Sequence, residues 1–104
     1  MPGVPLVAVG YSFGALVAIG LDDDRVTALC LVAPPLSMAS EPRAPGVRTL
    51  VLTPAHDQFS PPAVSEPVVA DWMDCEHRVV PMADHSIVGH TAAVAGTVAD
   101  WLSP

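Results

Sequence analysis

Basic residues are scarce in this chain: four Lys plus Arg stand against eleven Asp plus Glu in 104 residues, a net charge of −7 at pH 7. A polyanion is repelled by that balance, and no basic patch or interleaved aromatics offset it, so nucleic-acid binding is excluded. Cysteine is equally sparse. The two present make no disulfide framework, and neither has a Cys or His neighbour at metal-ligand spacing. Cys30 lies in an apolar run and Cys75 beside acidic residues, and both read as free thiols of a reducing compartment. Met1-Pro-Gly-Val-Pro lacks the basic start of a secretory signal. Residues 6–21 carry no charge, yet this run falls short of the ~20 residues of a membrane span. The sequence therefore reads as a soluble cytoplasmic protein with no nucleic-acid or membrane partner.

What is present is apolar. Hydrophobic residues make up 51% of the chain and charged ones 14%, which excludes disorder and requires a large buried share. The length bounds one domain, 1–104. Residues 6–9 read as a strand, 13–21 as a helix apolar nearly all round and so buried on most sides, and 26–32 as a strand apolar on both faces. Asp22, Asp23 and Asp24 between them match no calcium loop and read as a solvated turn. Residues 36–46, with Pro42, Pro45 and Gly46, read as a loop. A third strand spans 47–53, ended by Pro54. A helix then opens at Ser60-Pro61-Pro62, or nearer Ser65 because of Pro67, and runs to about Asp74. Residues 77–82 read as a short fourth strand and 86–102 as a closing helix with Ile87, Thr91, Val94, Val98 and Trp101 on one face. Trp72, Met73 and Trp101 read as core. This order implies an α/β fold, a parallel sheet of about four strands with flanking helices.

Gly10-Tyr11-Ser12-Phe13-Gly14 stands between the first strand and first helix. A tight turn there forces the serine into a strained backbone conformation and lifts its Oγ above the sheet. Gly10 and Gly14 give the chain room to pass, since a Cβ at either would crowd its neighbours. Reactive groups of parallel sheets lie beyond the carboxyl ends of the strands. Three candidates fall there: Ser12, Asp57 and His85. Asp84 is a weaker alternative acid, because a sequence neighbour in extended chain points to the other face. His56 reads as a loop residue at the mouth of the site, and His77 and His90 as structural or exposed.

Serine, then acid, then histidine is the chain order of α/β-hydrolases, and the sequence resembles the C-terminal half of a small member of that family. Gly10 to Gly14 resembles the nucleophile elbow, 50–57 the acid-bearing strand and loop, and Met82-Ala-Asp-His85 the histidine loop. The resemblance implies a serine hydrolase acting on an ester or related acyl compound. Ser12 is then nucleophile, His85 general base, Asp57 its orienting acid, and Phe13 the backbone donor to the oxyanion hole. It implies no cofactor and no metal. A complete member resembles about eight strands, so the domain reads as partial: a truncated reading of a longer gene, or one half of a split enzyme. The strand of Leu6, Val7, Ala8 and Val9 is then left at a sheet edge, open to a second copy or to an N-terminal-half partner. The alternative reading is a non-catalytic remnant or interaction module that keeps the half-fold for packing and binding.

Overall fold

The computed structural model describes residues 4–38, 41–43 and 46–103; the readings of Met1, Pro2, Gly3 and Pro45 fall outside them. Strand β1 (Leu6–Tyr11) runs into helix α1 (Phe13–Ile19), followed by β2 (Val26–Val32) and a 3-10 turn at Leu36–Met38. Then come β3 (Arg48–His56), α2 (Pro62–Val69), β4 (Cys75–Asp84) and α3 (Thr91–Leu102). The strands form one parallel sheet in the order β1-β2-β3-β4. The α/β alternation in the sequence produces the expected sheet.

Side chains alternate across a strand, so each central strand feeds two cores. Leu29, Leu31 and Val51 face one cluster with Ala15, Ile19, Val69 and Trp72, which α1 and α2 close. Cys30, Val32, Leu50 and Leu52 face the other, closed by Val94 of α3. That two-sided burial explains why β2 and β3 are continuous apolar runs rather than alternating ones. Each fully buried leucine contributes about 1.5–3 kcal/mol.

Several boundaries differ from the sequence reading. Strand β3 does not end at Pro54 but continues to His56, because the ladder to β4 slips just there: Pro54 pairs with Val80, and His56 with Asp84. Two extra β4 residues bulge out at that step, with Met82 at φ 67. Ser60 does not cap α2. Pro61 occupies that position without a side-chain hydrogen bond, and Pro67 is accommodated inside the helix. The closing helix starts at Thr91 rather than Ser86, because Ile87 and Gly89 take positive φ in the turn before it. Met73, read as core, is 82% exposed just after α2 ends. Trp101 is half-buried, with the Arg48 guanidinium 4.3 Å from its ring centroid. Helix α1 is likewise not buried on most sides: Ala15, Ala18 and Ile19 pack on the sheet, while Phe13 and Val17 on the opposite face are exposed.

β1 lies at the sheet edge, with Leu6, Val7, Val9 and Tyr11 exposed. Apolar edges recruit other chains, so we propose association through this strand. In light scattering at micromolar concentration the chain is expected to form dimers or larger species, and Val9→Lys to shift it to monomer. A clean wild-type monomer contradicts this. No described helix is long and apolar enough to cross a membrane.

Candidate active site

The strand-to-helix turn after β1 carries the first candidate residue, Ser12. Ser12 sits at φ 55, ψ −122, outside the regions a serine ordinarily adopts. Its N–H donates to the Val32 carbonyl of the adjacent strand at 2.9 Å, and its own carbonyl accepts from Ala15 N–H. The strained residue is therefore held from both sides. Gly10 is required by this turn: a Cβ there would lie 2.5 Å from the Gly14 carbonyl oxygen and 2.6 Å from Ala15 Cα. Gly14 is not required in the same way. A Cβ at that position meets nothing within 4 Å among the described residues, which corrects the expectation that both glycines relieve crowding.

Asp57 follows β3 and is 3% exposed. Its Oδ1 accepts from the backbone N–H groups of Phe59 and Ser60 at 2.8 and 2.9 Å. Two donors on one oxygen fix the carboxyl plane and leave Oδ2 aimed at His85, whose Nδ1 lies 2.7 Å away. The other ring nitrogen, Nε2, is 2.8 Å from Ser12 Oγ. A carboxylate only accepts, so Nδ1 carries the hydrogen and Nε2 presents its lone pair to the serine hydroxyl. Three groups from separate strand ends thus form one continuous chain of hydrogen bonds.

His85 is held by more than Asp57. The Tyr11 hydroxyl donates to its carbonyl oxygen at 2.5 Å, and the Phe59 ring meets the imidazole edge-on at 4.7 Å. Burial, with the fields of Asp57 and Asp84, pushes the Tyr11 phenol above its ordinary value and so keeps it a donor. Nothing in the chain's pattern pointed to Phe59, which stands two residues beyond the acid in a turn that many residues would fit. Tyr11 was visible only as a neighbour of the serine.

The weaker candidates lie elsewhere. Asp84 accepts from the backbone N–H and hydroxyl of Ser86, and its carboxyl is lowered chiefly by the Ser86 hydroxyl. His56 is the exposed last residue of β3, not a loop residue. His77 lies within β4, its Nε2 sharing a hydrogen with Thr53 Oγ1 at 2.8 Å. His90 immediately precedes α3 rather than lying inside it. Asp23 is engaged by Arg25, which holds its carboxyl down at about 2. Burial raises the Cys30 thiol and pushes Cys75 up to about 11, so neither offers a ready thiolate. Among the described residues no three His, Cys, Asp or Glu side chains group as metal ligands.

No protein-family model and no curated relative matches this sequence. Solved structures do. A candidate α/β hydrolase of unknown function from Agrobacterium tumefaciens superposes with a TM-score of 0.84 at 23% identity, covering 95% of this chain and 50% of that one. The chain has half of an α/β-hydrolase fold. An α/β serine hydrolase homologue from Coxiella burnetii gives a TM-score of 0.76 at 22% identity with the same coverage. The chain spans about half the length of these structures, and the α/β-hydrolase half-fold places Ser12, Asp57 and His85 together at one end of its sheet.

Proposed function

We propose that this chain carries the catalytic residues of a serine hydrolase, acting on a carboxylic ester or related acyl compound through an acyl-Ser12 intermediate. The observation that supports it most is the unbroken path from Ser12 Oγ through the His85 ring to Asp57, with links of 2.8 and 2.7 Å. A serine hydroxyl is a weak nucleophile unless a base removes its proton during attack, and Nε2 is within reach to do so. The Oγ–carbon bond forms, the carbonyl electrons move to oxygen, and the proton passes to His85. Asp57 stabilises the resulting imidazolium without taking the proton. His85 then protonates the departing alkoxide as the carbon–oxygen bond breaks. Water repeats the sequence on the acyl-serine, giving the carboxylic acid and restoring the Ser12 hydroxyl.

The Phe13 N–H, at the start of α1 where no helical acceptor exists, donates to the oxyanion. A second donor belongs to the other half of the fold, and one missing donor slows turnover by about 10²–10³. Stoichiometric labelling is therefore a better test than turnover. A fluorophosphonate probe is expected to add to Ser12 in the folded chain. Ser12→Ala, which removes the only atom the probe bonds, is expected to abolish the adduct. No labelling of the folded wild type, alone or with the other half restored, would instead favour a non-catalytic module. The half-fold requires no cofactor for this chemistry. The unpaired thiols Cys30 and Cys75 support a cytoplasmic setting.

A further inference from the structure

Beside Ser12 lies a recess of about 150 Å³, walled by Phe13, Pro35, Ser37, Met38, Phe59 and His85. Its size is far below the roughly 300–1,000 Å³ of pockets for drug-sized ligands. Its walls are apolar apart from the Ser37 hydroxyl and the two reactive side chains, and no cation is among them. Pro35 is buried and rigid, and the exposed Phe59 ring stands edge-on to the His85 ring. The recess is thus partly preformed. Its open rim is Phe13, Met38 and Phe59, 66%, 67% and 64% exposed.

We propose that this recess receives the acyl chain of the substrate, and that the chain is short, uncharged and apolar. The inference rests on the serine-hydrolase reading of the same site. Once Oγ has bonded the acyl carbon and the acyl oxygen has turned to the Phe13 N–H, both anchors are wall residues of the recess. The rest of the acyl group then lies inside it. A longer chain runs out past Met38 and Phe13, while a terminal carboxylate finds no counter-charge and must shed its water.

The experiment uses p-nitrophenyl alkylphosphonates bearing methyl, butyl, dodecyl or ω-carboxybutyl groups, with the rate of the Ser12 adduct followed by mass spectrometry. In each, Oγ bonds phosphorus, p-nitrophenolate leaves, and His85 takes the serine proton. Butyl is expected to react at least about tenfold faster than dodecyl or ω-carboxybutyl, the scale on which pocket fit discriminates alkyl groups. Met38→Trp, a substitution on the exposed rim that narrows the recess, is expected to shift the butyl-to-methyl rate ratio about tenfold toward methyl. Equal rates across the series, or a ratio unmoved by Met38→Trp, overturn this inference and leave the hydrolase reading standing. Absence of any Ser12 adduct overturns both.

Discussion

Asp57→Asn is expected to slow phosphonylation of Ser12 by about 10⁴-fold, the size of loss that a wrong histidine tautomer produces in serine proteases, while the circular dichroism stays that of the wild type. The geometry dictates the direction. Oδ1 of residue 57 accepts from Phe59 N–H and Ser60 N–H, so an asparagine must place its carbonyl oxygen there and turn its amide NH₂ toward His85. Nδ1 then has to accept. The ring hydrogen moves to Nε2, which faces Ser12 Oγ at 2.8 Å, and no lone pair is left facing the serine hydroxyl. Shape and burial are preserved, because asparagine matches aspartate in volume and both backbone donors keep their partner. A loss of only a few-fold, measured as the rate of adduct formation, would mean that Asp57 does not set the tautomer.

The second large effect is on folding. Gly10→Ala is expected to prevent formation of the elbow, because its Cβ would press on the Gly14 carbonyl and on Ala15 Cα at 2.5 and 2.6 Å. Both are backbone atoms at the start of α1, so no side-chain rotation relieves the clash, and the helix must move off the strand. That separates Ala15 and Ile19 from the core cluster they close. Thermal melts should show loss of the cooperative transition or a large fall in Tm. Gly14→Ala is the control within the same motif. Its Cβ enters open space, and replacing glycine by alanine inside a helix stabilises it by roughly 0.5–1 kcal/mol. A melt in which both variants behave alike would contradict this division of labour between the two glycines.

The sequence was most legible where a local rule acts without competition. The apolar runs of β2 and β3 mark strands buried on both faces, and the G-x-S-x-G turn requires the positive φ found at Ser12. That Ser12, Asp57 and His85 come together was legible because each stands just past the carboxyl end of a strand, a property of chain order. Boundaries set by tertiary pairing were not. Pro54 is ordinarily a strand terminator, yet the slip in the β3–β4 ladder absorbs it. That same irregularity lengthens β4 to Asp84 and delivers His85 to the site, and nothing in residues 77–85 announces a bulge. The apolar face of α1 misled for a different reason: hydrophobicity specifies that a surface prefers burial, not that a described element covers it. Phe13, Val17 and the exposed side of β1 show that gap.

The relay from Asp57 to Ser12 is most directly tested by reading which ring nitrogen of His85 carries the hydrogen. Long-range proton–nitrogen correlation spectra of histidine-labelled protein in mildly alkaline buffer report this for the free protein. The hydrogen is expected on Nδ1, with Nε2 bare, and on Nε2 in Asp57→Asn. A wild-type ring protonated on Nε2 would leave Ser12 without a base and contradict the account.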